Sequence, residues 1–383
     1  MTRFSDSIQH LGTPVTTNSA EDIRAAQHDK RPRRPTTKDV ARLAGVSKTT
    51  VSYVLNDTPH VKVSAETRAR VYHAVEQLGY FANSNARGLR TRSTRTLALL
   101  VPDVTNPFWT QVVRSVEDTA AAHGYAVLLG NSDDSAAKEE TYLRLFVEKC
   151  VDGILLGSTH SEASYVDKLE RLGVPCVLID RDNSSGKLPC VALDNIHAGM
   201  LAAEHLVGLG HRRIGLLNGP TRLKVFQDFL KGYRQALRRN GLPYQAHMVR
   251  SAAVSARQEQ GKMMMEELLA LPDRPTAVCA ATDLLATGAL RALQVAGLHV
   301  PDDVAVVGND DIPLASELSV PLTTVAPPKY ELGATGVRML LARIEGESLE
   351  TQRVLLPVEL IVRESCGASR QPESRCHPER GVD

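Results

Sequence analysis

A group of polar side chains lies near the start of a short predicted helix at residues 48–55. Apolar residues at positions 51, 54 and 55 predict one buried face, so the opposite face is left polar. The polar residues on that face are Lys48, Thr49, Ser52 and Tyr53. Ammonium, hydroxyl and phenol groups at the exposed start of a helix can bond to base edges in the major groove of DNA. Base recognition is therefore one candidate chemistry for this segment, and an ordinary three-helix bundle is the alternative.

Two further predicted helices would position this segment. The first covers residues 36–44, where Thr36 or Thr37 can cap it. Its predicted inward face is Val40, Leu43 and Ala44, and the glycine at position 45 permits the tight turn that follows.

Serine caps are predicted for the other two helices. Ser47 is a good N-cap for residues 48–55, and Ser64 is one for a third helix that runs to Leu78 and ends at Gly79. Helix, tight turn, helix and supporting helix is the order found in helix-turn-helix modules.

Charge is unevenly distributed along the chain. The total is +1 over 383 residues, which taken alone argues against a nucleic-acid or membrane-surface protein. Residues 30–95 hold 14 basic and 4 acidic residues, a net charge of +10, whereas residues 1–29 carry −2 and residues 96–383 carry −7. A basic module before an acidic body is typical of a nucleic-acid-binding head on a body with another task.

Composition excludes several protein classes. The chain is 43% hydrophobic and 23% charged, which fits a soluble globular protein. No apolar stretch approaches the roughly 18 residues that span a bilayer, and residues 1–35 lack the apolar core of a signal peptide. Six cysteines without a CxxC pair indicate neither a disulfide framework nor a zinc site. We expect a cytoplasmic protein with no membrane partner, no cofactor and no metal.

The body alternates apolar strands with amphipathic helices. Such alternation predicts parallel sheets covered on both faces, and about 270 residues suit two doubly wound α/β lobes that face each other across a cleft. The predicted helices are Phe108–His123, Ile196–Leu209 and Leu284–Ala296, the last two followed by Gly210 and Gly297 as C-cap glycines. The predicted strands are Leu97–Val101, Ala126–Gly130, Gly153–Gly157, Cys176–Asp180, Cys190–Leu193, Ile214–Asn218, Ala277–Ala280 and Val304–Gly308.

The motifs resemble those of the LacI/GalR family of transcriptional repressors. The resemblance begins with the run TKDVARLAGVSKTTVSYVLN from Thr37 to Asn56 and extends over residues 36–363. Further matching motifs are SAETR from Ser64, LGY from Leu78, NARGLR from Asn85, PDVTNPFW from Pro102, VDG from Val151, GHRRI from Gly210, PTA from Pro275, GAL from Gly288, VP from Val300, GNDD from Gly308 and PLTT from Pro321.

The resemblance implies an all-α helix-turn-helix headpiece followed by two periplasmic-binding-protein-like α/β lobes. It implies a homodimer that binds double-stranded operator DNA as a repressor, occasionally an activator. Lys48, Thr49 and Tyr53 match positions that contact operator bases. Phosphate-positioning candidates are Ser47, Thr50, Ser52 and Asn56, and Thr37 is a further DNA-binding candidate. A hinge helix would contribute Asn85, Arg87 and Leu89, with Leu89 as a wedge in the minor groove, although a leucine that packs on the body is the alternative.

The resemblance also places a small-molecule effector, a sugar or another metabolite, in the cleft between the lobes. The candidate residues are Phe108, Trp109, Thr159, Asp180, Arg181, Phe229, Asp283 and Asp310, with core packing as the alternative for the two neighbouring aromatics. Phe229 stands where the family has an arginine, and Leu223 and Val225 stand where it has polar residues. This apolar wall argues against an ordinary hexose, unless the residues at positions 222, 224 or 227 compensate; a less polar metabolite, or no effector at all, are the alternatives.

The predicted organisation has five parts. They are a disordered tail at 1–35, the DNA-binding domain at 36–81, a hinge at 82–95, the effector and dimerisation domain at 96–365, and a disordered tail at 366–383. The C-terminal segment contains no leucine, so the tetramer-forming leucine heptad of some family members is missing and a dimer is expected. A solute-binding protein is disfavoured by the basic head, and an enzyme by the lack of phosphate-loop, GxSxG and HExxH motifs.

Overall fold

The structure is a computed structural model. It describes residues 35–56, 61–81, 93–157, 169, 171, 173–181, 188–252, 256–347 and 352–368. The chain divides between residues 84 and 85 into two compact units, the head and the body. No helix within the described ranges is long and apolar enough to cross a membrane.

The described part of the head consists of three helices, as predicted. They are α1 (Thr37–Ala44), α2 (Lys48–Leu55) and α3 (Ala65–Leu78). Thr36 caps α1 through a capping box in which the Asp39 carboxylate accepts from the Thr36 backbone N–H at 2.9 Å. Gly45 follows in the left-handed conformation with a φ of 66°, which makes the turn between α1 and α2.

One predicted core position of the head is wrong. Leu43 is 46% exposed, and Ala41, at 6%, takes its place beside Val40 and Ala44. On a helix of 3.6 residues per turn, positions 40, 44 and 41 follow one another within about 100° of the helix surface, whereas position 43 lies about 60° beyond 40 on the other side. The core is completed by Val51, Val54, Val71, Ala74 and Tyr80.

The described strands of the body form two sheets of six. The first lobe has the order β11-β5-β4-β3-β1-β2, and all its neighbouring strands are parallel. Leu97 in β1 lies between Val127 in β2 and Gly153 in β3. Its elements are β1 (Thr96–Val101), α4 (Pro107–Ala122), β2 (Ala126–Asn131), α5 (Ala136–Glu148), β3 (Gly153–Leu156), β4 (Cys176–Ile179), β5 (Cys190–Leu193), α11 (Lys329–Ile344) and β11 (Arg353–Leu356).

The second lobe has the order β12-β10-β9-β8-β6-β7, in which β12 alone among the described strands is antiparallel to its neighbour. Ile214 in β6 lies opposite Ala277 in β8. Its elements are α6 (Asn195–Gly208), β6 (Ile214–Asn218), α7 (Lys224–Arg239), a 3-10 turn (Ala246–Met248), β7 (Val249–Ser251), α8 (Gln258–Leu269), β8 (Ala277–Ala280), α9 (Asp283–Val295), β9 (Ala305–Asn309), α10 (Leu314–Glu317), β10 (Thr323–Ala326) and β12 (Glu359–Ile361).

The chain crosses between the lobes at three places. It leaves the first lobe after β5, returns to it between β10 and α11, and leaves it again between β11 and β12. Helix α11 packs against α4 and against β3, β4 and β5, so it belongs to the first lobe although it follows the second in sequence.

The predicted doubly wound architecture is present. All eight predicted strands and the three predicted body helices occur, to within one residue at each end. Strands β7, β10, β11 and β12 were not predicted. They are three or four residues long, β7, β11 and β12 are partly exposed at sheet edges, and β10 contains two threonines, so none of them shows the fully buried apolar run on which most of the predicted strands rest.

The folded part of the chain extends past the expected boundary at residue 365. Cys366 is 2% exposed and packs in the core of the second lobe, where its thiol lies 3.1 Å from the Thr323 hydroxyl. Ser365 is fully buried and donates to the carbonyl of Val306 at 2.6 Å. These contacts attach the end of the lobe to β9 and β10.

Candidate functional site: the exposed face of the head and the cleft of the body

The start of α2 presents polar side chains to solvent. Lys48 and Thr49 are exposed, and Ser52 and Tyr53 are half-buried. Ser47 caps the helix by accepting from the Thr50 backbone N–H at 3.0 Å. The cap fixes the first turn of α2, so the two exposed side chains project from a defined backbone.

Other predicted DNA-contacting residues of the head also make internal bonds. The Asn56 amide donates to the Ser52 carbonyl at 2.7 Å, and the Thr37 hydroxyl lies 2.8 Å from the Tyr80 hydroxyl. The two bonds attach the end of α2 and the start of α1 to the rest of the head. Asn85, Arg87 and Leu89 lie outside the described residues.

A cleft lies between the two lobes of the body. All three crossovers contribute to its lining, through Asn195, Pro327 and Val358. Six of the eight predicted effector residues line it: Phe108, Trp109, Asp180, Arg181, Phe229 and Asp310. Thr159 lies outside the described residues. The cleft thus occurs where the carboxyl ends of the strands face each other, as expected for sheets of this type.

Phe108 and Trp109 serve both the core and the cleft. They are 5% and 4% exposed, belong to the core of the first lobe, and meet edge to face with ring centroids 5.3 Å apart. A Cβ at Gly157 would lie 2.6 Å from the Trp109 indole, so the glycine provides the space for that ring. The two predictions for this pair, core packing and cleft lining, both apply.

Asp180 and Arg181 form an ion pair at the end of β4. The Arg181 guanidinium donates to the Asp180 carboxylate at 3.1 Å and to its carbonyl at 2.6 Å. Burial raises the pKa of Asp180 to about 6, and the charge of Arg181 opposes this shift. Asp180 also has a φ of 52°, which turns its side chain out of the strand direction.

Asp310 faces the cleft from the second lobe. It has a φ of 119° and is 7% exposed, and its carboxylate accepts from the Asn309 amide at 3.1 Å. Burial raises the pKa of Asp310 well above its usual range, and the charge of Asp283 adds to the shift, while the Lys329 ammonium opposes it. Asp180 also raises this pKa, so the carboxyls of the two lobes repel each other across the cleft.

Asp283 is not part of the cleft lining, contrary to the prediction. It is fully buried, and its carboxylate accepts from the Thr324 hydroxyl at 2.6 Å and from the Ile312 backbone N–H at 2.9 Å. Burial raises its pKa to about 7, and these two hydrogen bonds oppose the shift. As the first residue of α9, Asp283 points behind the strand ends and supports the segment after Asp310, while Thr282 lines the cleft instead.

The apolar wall inferred from sequence is present in the cleft. Leu223, Val225 and Phe229 line it together with Phe226. Two of the polar residues that could have compensated are bonded elsewhere: Lys224 pairs with Asp228 at 2.7 Å, and Gln227 donates to the Thr221 carbonyl at 2.7 Å. Arg222 is exposed and is not among the lining residues. This side of the cleft therefore offers apolar surface.

An ion pair spans the cleft between the lobes. Asp103 follows β1 in the first lobe, and its carboxylate lies 2.9 Å from the guanidinium of Arg257, which precedes α8 in the second lobe. Asp134, also in the lining, has a pKa raised by burial and opposed by nearby guanidinium groups, first that of Arg181. The Asp103–Arg257 pair therefore connects the two lobes directly across the cleft.

Several lining residues were missed from the sequence. They are Pro102, Asp103, Asn106, Asp134, Leu193, Asn195, Pro220, Phe226, Ala256, Arg257, Ala281, Thr282, Leu284, Asn309, Pro327 and Val358. Asp103, Asp134, Thr282 and Asn309 each follow or end a predicted strand, and the carboxyl ends of parallel strands are where ligands bind. The position at a strand end could therefore have predicted these four residues as cleft lining. Arg257 does not follow a predicted strand, so this signal does not apply to it.

Two protein-family models match the chain. One is described as bacterial regulatory proteins, lacI family, and matches residues 36–83; the other is described as a periplasmic binding protein-like domain and matches residues 203–366. The HTH-type transcriptional repressor CytR of Escherichia coli (strain K12) is 36% identical over 334 residues, which cover 87% of this chain and 96% of that protein. The chain belongs to the LacI family.

Solved structures of this LacI-family protein's relatives have the same architecture. The lac repressor dimer bound to operator and an anti-inducer matches 87% of this chain and 99% of its own, with 29% identity and a TM-score of 0.78. The complex of the regulator CelR with cellobiose matches 87% of this chain and 100% of its own, with 35% identity and a TM-score of 0.66. The protein is therefore a DNA-binding transcriptional regulator of the repressor type and not an enzyme.

Proposed function

We propose that this LacI-family regulator binds a two-fold symmetric operator as a homodimer and that a small molecule in the cleft controls the binding. The observation that carries the proposal is the capped start of α2, which exposes Lys48 and Thr49. The lac repressor relative is a dimer bound to operator DNA, which supports the same assembly here. Because the partner is chromosomal DNA, we place the protein in the cytoplasm.

The two kinds of DNA contact are assigned to different residues of the head. Lys48, Thr49 and Tyr53 contact base edges, since a lysine donates to guanine and hydroxyl groups bond to several bases. Phosphate positioning falls to residues that are fixed by internal bonds, namely Thr37, Ser47, Thr50, Ser52 and Asn56. Asn85, Arg87 and the Leu89 wedge belong to the proposed hinge at 82–95, between the head at 36–81 and the body.

Substitutions in α2 test this assignment. Lys48→Ala should relax the base preference at one position of each half-site and cost about 1–3 kcal/mol of specific binding. Ser52→Ala should weaken binding to all duplexes alike, because phosphate contacts carry no sequence information. Fluorescence anisotropy on a set of single-base operator variants separates the two outcomes. An unchanged base preference in Lys48→Ala would remove this residue from base recognition.

The proposed effector is less polar than an ordinary hexose. The wall formed by Leu223, Val225 and Phe229 supports this, since it offers no donor or acceptor to sugar hydroxyls. The facing carboxyls of Asp180 and Asp310 suit donor groups on the other side of the ligand. The relative CelR binds cellobiose, so the cleft position is shared while its chemistry is proposed to differ.

The emission of Trp109, which is the sole tryptophan of the chain, reports on ligands in the cleft. We expect little response when common hexoses and cellobiose are titrated against the full-length protein, and a saturable response to a metabolite that combines an apolar ring with donor groups. A tight, saturable response to a common hexose would contradict the proposal.

A further inference from the structure

Lys329 is a buried cation at a crossover between the lobes. It is 4% exposed and is the first residue of α11, directly after Pro327 and Pro328. Pro327 lines the cleft, whereas α11 packs on the first lobe. A buried ammonium group persists only when hydrogen-bond acceptors or carboxylates surround it. Its partners therefore indicate what this cation does.

The partners of Lys329 are backbone carbonyls of the second lobe. Its Nζ donates to the carbonyl of Asp310 and, at 3.0 Å, to the carbonyl of Asp311. Both acceptor residues have positive φ angles, 119° and 48°, in a region that favours glycine. Non-glycine residues remain in that region only when surrounding groups fix them, and the ammonium group is one of those groups.

Hydrogen bonds from the second lobe also fix the Asp310–Asp311 segment. The Arg363 guanidinium donates to the Asp311 carboxylate at 2.7 Å, and the Asp310 backbone N–H donates to the Val325 carbonyl at 2.8 Å. These bonds attach the Asp310–Asp311 segment to strands of the second lobe. Lys329 adds a connection of a different kind, because it comes from the crossover that leads to the first lobe.

The charges of Lys329 and Asp310 also depend on each other. Burial lowers the pKa of Lys329, and the carboxylates of Asp310 and Asp311 oppose that shift. The ammonium in turn opposes the rise in the pKa of Asp310 that burial causes. A movement of the crossover that withdraws Lys329 would therefore change both the position and the charge of Asp310.

We infer that Lys329 is a positioning residue that ties the orientation of Asp310 in the cleft to the crossover between the lobes. Ligand contact with Asp310 then moves the crossover, and movement of the crossover alters the ligand site. The inference rests on the proposed effector cleft, because Asp310 is a ligand contact only if the cleft binds the effector. Lys329 acts through the two backbone carbonyls and does not itself line the cleft.

Amide hydrogen exchange of the full-length protein, without DNA or ligand, tests this inference. In Lys329→Met we expect about tenfold faster exchange at Asp310 and Ile312, because hydrogen bonds from a charged group are lost. Protection of β8 in the same lobe should stay unchanged. Lys329→Arg retains the charge and donors and should restore slow exchange. Lys231→Met, at an exposed lysine of α7, is the matched control and should have no effect.

A second variant and a second readout keep the test decisive. If Lys329→Met does not fold, Lys329→Gln replaces it. This variant retains a hydrogen-bond donor without the charge, so amide exchange at Asp310 and Ile312 should be accelerated less than about tenfold. Acrylamide quenching of Trp109, which lies in the first lobe, should rise in both variants because the crossover is released. Unchanged exchange at Asp310, or equal acceleration throughout the second lobe, would overturn the inference. Operator binding is measured separately. Absence of operator binding would contradict the proposed function, whereas the amide exchange data would still test the role of Lys329.

Discussion

Gly232 is the position where the close packing of α6 and α7 can be tested most sharply. A Cβ built on Gly232 would lie 1.9 Å from the Ile196 carbonyl oxygen and 2.8 Å from the Met200 nitrogen. An ordinary carbon–oxygen contact is about 3.3 Å, so Gly232→Ala must separate the helices by about 1.4 Å. Both opposing atoms are backbone and cannot rotate away.

The expected stability change follows from two opposing effects. Overpacking against backbone costs about 3 kcal/mol, at the upper end of its usual range. Replacing a helical glycine by alanine stabilises the helix by about 1 kcal/mol because of the higher helix propensity of alanine. We expect Gly232→Ala to lower the free energy of unfolding by about 2 kcal/mol. The separation would also shift Phe229, which is one turn earlier on α7 and lines the cleft.

Gly208 provides the matched control. It is the last residue of α6 and exposed, and an added Cβ would meet nothing within 4 Å. Gly208→Ala should therefore raise the free energy of unfolding, by at most about 1 kcal/mol. Chemical denaturation of the full-length chain, followed by far-ultraviolet circular dichroism, measures both variants. A change in the free energy of unfolding that has the same sign in both variants, or a Gly232→Ala variant that is more stable than the unmodified protein, would refute the close contact between α6 and α7.

Three further predictions concern the head, the buried carboxyl and the cleft. Ser47→Ala should destabilise the head by about 1 kcal/mol because α2 loses its cap; an unchanged thermal midpoint of the head would contradict this. The folded pKa of Asp283, about 7, lies above its ordinary 3.8, so stability should fall as pH rises between these values. Asp283→Asn should flatten that slope in denaturation series, and an equally steep slope would exclude this carboxyl as its source. Arg257→Ala removes the ion pair with Asp103, and because the Arg257 side chain is half-exposed the population with the lobes further apart should rise by at most about fivefold; acrylamide quenching of Trp109 that stays unchanged would contradict a role of this pair in holding the lobes together.

The sequence predicted the regular elements well because apolar periodicity and helix caps are local signals. Ser47 and Ser64 cap helices as expected, and the buried parallel strands stand out as apolar runs. The burial of Ala41 in place of Leu43 in the head core could not be predicted, because hydrophobicity alone favours the leucine. Likewise, the packing of α11 on the first lobe rests on contacts between elements that are far apart in sequence, which no local pattern indicates.

Prediction of the cleft succeeded where a motif placed a residue at a strand end. Asp180, Arg181 and Asp310 line it for that reason. Asp283 also follows a strand, but it is the third residue after β8 and the first residue of α9, and its buried carboxylate bonds to Thr324. No sequence signal predicts the burial of Lys329, because a single lysine after two prolines does not indicate contact with two backbone carbonyls.

Selection of bound duplexes from random DNA tests the central claim most directly. With the unmodified full-length protein, we predict enrichment of a two-fold symmetric site, in which each half-site is specified through Lys48, Thr49 and Tyr53. Repeating the selection with Lys48→Ala should change the preferred base at one position of each half-site. Failure to enrich any symmetric site, or an identical site with the variant, would contradict the proposal that this face of α2 recognises an operator as a dimer.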